Sequence, residues 1–390
     1  MKKVILGEVC DFFNGGAWSD KEYVNEGIPV LKVTNCKSTG FQLDNLNYLS
    51  EKSREKYKKN NLIIGDIIVA TVGSHPNLIE SAAGRSCIVN SQVEGFYLNQ
   101  NAVCIRTKDK RILSQKYLGY LCKCADFQHY IQSRGRGAAN QMRIAISSIK
   151  EYSFTLPDFE NQQYIADILS AYDDLIENNQ KQIKLLEEAA QRLYKEWFVD
   201  LHFPGHENTK IVDGVPEGWH RGTVGQIAEF KRGRTITKAQ VKGGNVPVVA
   251  GGLEPAYYHN VANTKAPVIT ISASGANAGF VRLYGVDVFA SDCSFVDGLG
   301  TESLFFVYEF LKESKVSIDQ LQKGSAQPHV YAKDINAMKI TIPEKEYLER
   351  FDRYAKVYFN KIKTLQGQNE QLKIARDFLL PKLMNGEVEV

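Results

Sequence analysis

The loop QSRGRGAANQMR, residues 132–143, carries side chains of the types that read nucleic-acid bases. Arginine can donate two hydrogen bonds to guanine, asparagine and glutamine can pair with adenine, and all of them can also hold phosphates. Glycine and alanine separate these side chains and let the backbone approach another surface closely. The loop therefore has the chemistry of a DNA contact, although a solvated turn is the alternative for each residue taken alone.

Polar and basic loops of the same kind recur in both halves of the chain. FKRGRTITK and SASGAN lie in the second half, and VGSHPN lies opposite SASGAN in the first. Because such loops recur at matching places in both halves, the prediction is stronger for the whole set than for any single residue. The predicted DNA-binding residues are Ser74, His75, Asn77, Arg134, Arg136, Asn140, Gln141, Arg143, Lys231, Arg232, Arg234, Ser272, Ser274, Asn277, Lys323, Ser325, Gln327 and His329.

These loops belong to an internal repeat, which bears on the whole architecture. GAANQMRIAISSIKEYSFTLP, residues 137–157, matches GSAQPHVYAKDINAMKITIP, residues 324–343, at a displacement of 186 positions. Upstream, LGEVCDF matches VGQIAEF at a displacement of 218 positions. The first globular part is therefore 32 residues longer than the second. We predict one duplicated unit whose globular parts have diverged.

A polar, Leu-rich segment follows each copy and has the apolar spacing of a coiled coil, with intervals of three and four residues. We predict two long helices, the first near residues 163–198 and about 54 Å long at 1.5 Å per residue. The second helix should be disturbed at Pro381 and end near Gly386. The predicted seam includes Leu169, Ile176, Asn179, Ile183, Leu186 and Leu193 in the first helix, and Ile362, Leu365, Asn369, Leu372 and Leu379 in the second.

The charges of the two segments favour their pairing with each other. Residues 160–200 have a net charge of −5 and residues 344–390 a net charge of +1, which leaves +7 on the rest of a chain whose total is +3. Two units of the same orientation are most simply joined by antiparallel helices. Asn179 and Asn369 either set the register of that pair or face solvent. Arg376 interrupts the seam and could extend its charged end to solvent.

The composition predicts a soluble protein of two or three domains. The 390 residues exceed the usual size of one domain, and no apolar run reaches the length of a bilayer span. The N-terminal MKKVILGEVCDF does not resemble a signal peptide, so we expect a cytoplasmic protein without a membrane partner. The seven cysteines favour reduced, buried thiols over a disulfide framework or a metal site.

The globular parts are predicted to be mixed α/β, with helices near residues 115–132 and 304–312. Strands are expected at LIIGDIIVATVG, APVITISASG, FYLNQNAVCIRT and VDVFASDCSFVDG. Neither an Asn-Pro-Pro-aromatic motif nor a GxxxxGK[ST] phosphate loop occurs. We therefore predict a DNA reader with no catalytic residues and no cofactor of its own.

The whole pattern resembles the specificity subunit of type I restriction-modification enzymes. The likeness covers essentially the full chain and rests on LGEVCDF, VPEGW before VGQIAEF, GSAQPHV, RLYKEWFVDLHFPG and FLLPKLMNGEV. It implies an α+β fold in which two globular α/β target recognition domains are separated by two long helices that form an antiparallel coiled coil. The implied boundaries are domain 1 at 1–158, spacer helix 1 at 159–202, a linker at 203–222, domain 2 at 223–343 and spacer helix 2 at 344–390.

The resemblance also implies partners. Each recognition domain reads half of a split, asymmetric site in double-stranded DNA, and the coiled coil docks two methyltransferase subunits that use S-adenosylmethionine. Restriction subunits that use ATP and Mg²⁺ complete the assembly. Two alternatives remain open at this point: a self-contained DNA-modifying enzyme of unrecognised motif, and a coiled-coil scaffold that binds only proteins.

Overall fold

A computed structural model describes residues 2–37, 40–43, 46–74, 83–137, 142–324 and 327–388. By its internal contacts the chain divides into unit 1, Met1–Ile176 with Gln371–Val390, and unit 2, Glu177–Glu370. Each unit thus contains one globular part and a portion of both long helices. Among the described residues, none of the helices combines the length and the apolar character that a bilayer span requires.

Unit 1 is built on two four-stranded sheets. The first sheet is antiparallel and its central strand, Ile67–Ala70, is buried along its whole length. Such continuous burial accounts for the run of apolar, mostly β-branched residues in that segment. The first sheet has the order Ser86–Ile88, Ile67–Ala70, Ala102–Thr107, Cys10–Asn14, and the second the order Tyr97–Leu98, Ile28–Leu31, Asn47–Leu49, Tyr23–Val24. Two-stranded pairs are Lys2–Ile5 with Ser153–Leu156, Val72–Gly73 with Met142–Arg143, and Cys36–Lys37 with Gly40–Phe41.

Unit 2 repeats this plan with one strand fewer in its second sheet. Its strands His220–Thr223 and Lys339–Ile342 pair as Lys2–Ile5 and Ser153–Leu156 do in unit 1. The duplication predicted from the sequence is therefore visible in the strand pairing. The first sheet has the order Lys231–Arg232, Cys293–Asp297, Val268–Ser272, Val281–Tyr284, and the second the order Tyr257–His259, Val246–Val249, Phe289–Ala290. A further pair is Ile211–Val212 with Val215–Pro216.

Short helices cover the sheets. The helix predicted over 304–312 is found at Leu304–Glu313. The single helix predicted over 115–132 is two helices, Gln115–Lys123 and Ala125–Ser133, because Cys124 adopts an extended conformation between them. The other α-helices are Leu6–Val9, Ile146–Lys150, Val224–Ile227, Lys315–Gln320 and Ala332–Asn336, and 3₁₀ turns lie at Asp20–Glu22, Val33–Asn35, Glu51–Ser53, Lys58–Asn60, His206–Asn208 and Lys238–Gln240.

The first long helix is Phe159–Tyr194, extended by a π-helical turn at Lys195–Val199, and the second is Lys345–Met384. The second runs through Pro381 to Met384, so the predicted disturbance at Pro381 does not end it. Pro381 has no N–H and therefore leaves the carbonyl of Asp377 without its helical donor. Both residues are exposed. Gly386 has a φ of 70°, the left-handed conformation typical of a residue just beyond a helix end.

Portions of both long helices enter the hydrophobic core of each unit. In unit 1, Ile165 and Leu169 of the first helix share a core with Leu380 and Leu383 of the second. In unit 2, Tyr194 of the first helix lies 6.1 Å from Phe351 of the second, measured between ring centroids. Each globular part therefore packs on a helix pair, and the buried aromatic and aliphatic surface holds helices and sheet together.

The two seam asparagines meet in unit 2. The side-chain amide of Asn179 donates a hydrogen bond of 2.9 Å to Oδ1 of Asn369, and both residues are buried. Together with the Tyr194–Phe351 contact, this pairing makes the helices antiparallel, as predicted. The alternative in which the asparagines face solvent is wrong. Amide groups that satisfy each other at one level of a seam favour one register over others.

We expect Asn179→Leu alone to destabilise unit 2 by about 1–3 kcal/mol, since it leaves the Asn369 amide buried without its partner. The double change Asn179→Leu with Asn369→Leu should recover most of that loss, because two leucines pack without an unpaired polar group. Denaturant unfolding followed by the fluorescence of Trp197 and Trp219, in a protein in which Trp18 is changed to phenylalanine, measures both. Asn178→Leu, at the exposed neighbouring position, is the matched control. Equal losses in the single and double variants would contradict the pairing argument.

Arg376 also has a partner rather than extending to solvent. Its guanidinium forms an ion pair with Asp173 in unit 1, and the Tyr120 hydroxyl donates to the same carboxylate over 2.8 Å. Lys123 lies 3.5 Å from Asp173. Burial opposes ionisation of Asp173, but these cations outweigh it and lower its pKa. The charged seam position is therefore neutralised inside unit 1.

Candidate nucleic-acid interface

The two ends of the repeated loop of unit 1 pair in a short antiparallel bridge, which we call the hairpin. Arg136 and Arg143 exchange both backbone hydrogen bonds, over 2.9 and 2.8 Å. The Met142–Arg143 strand pairs with Val72–Gly73, and the Ile144 N–H donates to the carbonyl of Thr71 over 2.8 Å. Both arginine side chains are exposed. The backbone frame thus presents two guanidinium groups beside the end of the central strand Ile67–Ala70.

The corresponding loop of unit 2 has the same frame and different side chains. Lys323 and His329 exchange backbone hydrogen bonds over 2.9 and 2.8 Å, and the Val330 N–H donates to the carbonyl of Ala273 over 3.0 Å. His329 occupies the place of Arg143, and Lys323 that of Arg136. The Lys323 ammonium is 2.8 Å from Asp334, so part of its charge is neutralised within the unit.

Unit 2 also has a basic segment at the edge of its first sheet. Lys231 and Arg232 form an edge strand against Cys293–Asp297, and the Arg234 N–H donates to the carbonyl of Ala290 over 2.9 Å. A Cβ on Gly233 would lie 2.3 Å from the carbonyl oxygen of Ser291, so only glycine permits this close approach. Lys231, Arg232 and Arg234 are all exposed. They form the basic segment of unit 2.

The SASGAN loop lies between the hairpin and the basic segment. Its backbone contacts the hairpin through Ala273, and the Ser274 hydroxyl donates to the carboxylate of Asp292. Ser272 is buried and its hydroxyl donates to the carbonyl of Gly251 over 3.1 Å. Asn277 donates to the same carbonyl over 3.5 Å. Ser272 and Asn277 thus hold the loop, whereas Ser274 and Asp292 stay half-exposed at the surface.

The chain's relatives identify its family. A sequence profile of the family described as the type I restriction modification DNA specificity domain matches residues 1–188 and 216–373. The chain belongs to this family. It is the DNA specificity subunit of a type I restriction-modification system, and such subunits are not themselves catalytic. Its two long helices and two globular α/β parts are the architecture expected of a specificity subunit.

Individual relatives match over nearly their full length. The specificity subunit is 24% identical to the putative type I restriction enzyme MjaX specificity subunit of Methanocaldococcus jannaschii, over 99% of this chain and 93% of the relative. It is 21% identical to the HindI specificity subunit of Haemophilus influenzae, over 96% of each chain. The crystal structure of the type I S subunit from M. genitalium has the same fold, with a TM-score of 0.58 and 20% identity over 98% of this chain and 96% of that one.

The remaining predicted residues of the specificity subunit lie on the same loops. Arg134 is exposed and its guanidinium lies over the Tyr130 ring, 4.8 Å from the centroid. Gln327 is exposed and Ser74 is half-buried. In unit 2 the SASGAN loop contacts the hairpin through Ala273, and Ala273 also contacts Asp292, which precedes the strand that pairs with the basic segment. His75, Asn77, Asn140, Gln141 and Ser325 lie outside the described residues.

Two polar residues, one beside the loops of each unit, are missing from the set predicted from the sequence. Asp292 precedes the strand Cys293–Asp297, and Asn101 precedes the strand Ala102–Thr107 at the same place in unit 1. Their backbone carbonyls accept from Ala273 and Thr71 over 3.2 and 2.9 Å. Aligning ASDCSFVDG with NQNAVCIRT by their common strand would have found the pair.

Proposed function

We propose that the two globular parts of this specificity subunit read two unlike half-sites in one double-stranded DNA molecule. Residues 1–158 and 223–343 would act as the two target recognition domains. Residues 159–202 and 344–390 would form the spacer, with 203–222 as a linker. The complex would act on DNA in the cytoplasm.

The observation that carries this proposal is one backbone frame with two sets of side chains. Arg136 and Arg143 in unit 1 stand where unit 2 has Lys323 and His329. Arginine pairs bidentately with guanine, which lysine reproduces less specifically and histidine does not. A shared frame supports a shared mode of approach to DNA, while different side chains support different target bases.

The basic segment provides a second difference between the units. The Gly15 N–H of unit 1 donates to Ala102 over 3.0 Å, and the Gly233 N–H of unit 2 donates to Cys293 over 2.8 Å. Around that shared contact, Lys231, Arg232 and Arg234 correspond to Phe13, Asn14 and Gly16. Unit 2 therefore offers three cations for phosphates or guanines where unit 1 offers none.

The long helices are the proposed docking surface for two methyltransferase subunits. Their outer faces expose Tyr354 and Val357 in unit 2, and Ile374 and Phe378 in unit 1, between 46% and 65% accessible. Apolar side chains at successive turns of an exposed helix face are typical of a protein-binding surface. S-adenosylmethionine would bind to those methyltransferase partners, and ATP with Mg²⁺ to restriction subunits that reach this chain through them.

The test is the methylation pattern of DNA from cells that express this chain with its methyltransferase. Long-read sequencing should find one motif made of two unlike half-sites at a fixed spacing. Cells with the methyltransferase alone are the control and should lack the motif. Random methylation, a palindromic motif or no methylation would overturn the proposal. Methylation by this chain alone would favour a self-contained enzyme. If the chain shows no salt-dependent binding to duplex DNA, a scaffold that binds only proteins would be favoured.

A further inference from the structure

Asp292 is an unusual residue for the surface on which it lies. Its carboxylate accepts the Ser274 hydroxyl and is half-exposed. The flanking residues Ser291 and Cys293 hold the chain around the basic segment. The Ser291 hydroxyl accepts from the Ile236 N–H over 3.3 Å, and the Cys293 carbonyl accepts from the Gly233 N–H over 2.8 Å. A carboxylate beside three exposed cations repels phosphates, so general attraction to DNA does not account for it.

The described residues place no cation at ion-pair distance from Asp292. Lys323 pairs with Asp334, and Arg282 lies near Glu254. Asp292 is half-exposed and is not neutralised by a neighbour, so acceptor positions of its carboxylate remain open to a partner from outside the protein. An ionised carboxylate only accepts hydrogen bonds. Among groups on the edges of DNA bases, the partner it fits is an exocyclic amino group, above all N4 of cytosine in the major groove.

The equivalent residue of unit 1 has different chemistry. Asn101 has the same backbone contacts as Asp292, through Thr71 on one side and the Gly15–Ala102 hydrogen bond on the other. An asparagine amide both donates and accepts, and it fits N6 and N7 of adenine. The duplication thus keeps one backbone position at the end of a strand and changes the side chain from an amide to a carboxylate.

We propose that Asp292 and Asn101 are specificity-determining residues at matched positions of the two half-sites. Asp292 accepts a hydrogen bond from a cytosine amino group in the half-site of unit 2, and Asn101 pairs with an adenine in the half-site of unit 1. Ser274 orients the Asp292 carboxylate through its hydroxyl. This inference rests on the proposed reading of two half-sites and adds the residues that distinguish one base pair in each.

The test uses the full complex of the specificity subunit with its methyltransferase and a library of target sites. For Asp292→Asn we expect the preference at one base pair of one half-site to shift from cytosine to adenine by about tenfold or more. The other half-site and the spacing should stay unchanged. Asn101→Asp should produce the reciprocal shift in the other half-site. Glu217→Gln removes one exposed negative charge from unit 2 and should leave every position unchanged.

Several outcomes would overturn the inference. One is an unchanged motif with Asp292→Asn, and another is an even loss of methylation at all sites. If Asp292→Asn does not fold, an unchanged motif with Asn101→Asp has the same consequence. Ser274→Ala tests whether Asp292 reads the base or only supports the loop. We expect this variant to keep the preference for cytosine and to methylate its sites at a lower rate. A shift in base preference equal to that of Asp292→Asn would mean that Asp292 only holds the serine. A wild-type motif that is not bipartite would instead remove the proposed function.

Discussion

Replacing Lys231, Arg232 and Arg234 together with glutamine should weaken binding to duplex DNA by roughly a hundredfold at about 0.15 M salt. These three side chains are exposed on an edge strand that pairs with Cys293–Asp297 and on the turn that follows it. If each contacts one phosphate, the slope of log affinity against log salt should fall by about 2.7, since each contact contributes about 0.9. Fluorescence anisotropy over a range of salt concentrations measures both quantities.

A matched variant separates local contacts from net charge. Lys356, Lys361 and Lys363 are exposed on the second long helix, and changing them to glutamine removes the same charge from unit 2. This control should bind DNA with a nearly unchanged salt slope, because charges beyond a Debye length of about 8 Å are screened. Equal losses in the two variants would show that the basic segment acts only through the overall charge of the protein.

The parts of the fold that follow from local spacing were predictable from the sequence. A helix is defined by contacts three and four residues apart. The apolar seam therefore predicts both long helices, and it predicts that Asn179 and Asn369 are positions of that seam. The repeat with its displacement of 186 positions likewise predicts that Arg143 and His329 occupy equivalent places. The ion pair of Arg376 with Asp173 was not predictable, since nothing in the spacing of one helix specifies its partner on another.

The proposed DNA-reading surface depends on contacts between distant segments, and the sequence alone predicts it only in outline. Loop composition identifies Lys231, Arg232, Arg234 and the hairpin residues. It cannot distinguish Ser272, which faces inward, from Ser274, which faces the surface, because two residues of a tight loop share the same composition. Asp292 is missed because an acidic residue does not match a search for cations and amides. Its role is indicated only by its hydrogen bond to Ser274 and its match to Asn101.

Unit 2 also contains a carboxyl group with an unusual protonation equilibrium. Glu309 is 2% exposed on the helix Leu304–Glu313, within the core that includes Tyr194 and Phe351. Burial raises its pKa to about 8, Lys312 lowers it and Glu187 raises it further. The folded unit therefore holds a proton on Glu309 that the unfolded chain releases near its ordinary pKa of 4.5.

Glu309→Gln should remove the part of the pH dependence of unit 2 that comes from this carboxyl, while the buried Asp352, whose pKa is raised to about 7, keeps its own contribution. In the wild type, the folded state binds more protons than the unfolded state between about pH 4.5 and 8, so its free energy of unfolding falls as pH rises through that window and levels off above it. Glutamine keeps the size of the side chain and carries no charge at any pH. We expect similar stability of the two proteins near about pH 5, and a gain on the order of a few kcal/mol for the variant near about pH 9.

Denaturant unfolding at several pH values measures this effect in unit 2 if Trp18 is first changed to phenylalanine. The two remaining tryptophans, Trp197 and Trp219, both lie in the core of unit 2 and report on it alone. Glu302→Gln is the control, because Glu302 is exposed and its pair with Lys345 over 3.7 Å is open to solvent. Exposed ion pairs contribute about 0–1 kcal/mol, so this control should follow the wild type at every pH. A difference in stability between Glu309→Gln and the wild type that stays constant from about pH 5 to 9 would contradict the protonated state of Glu309, since the variant removes only that proton equilibrium.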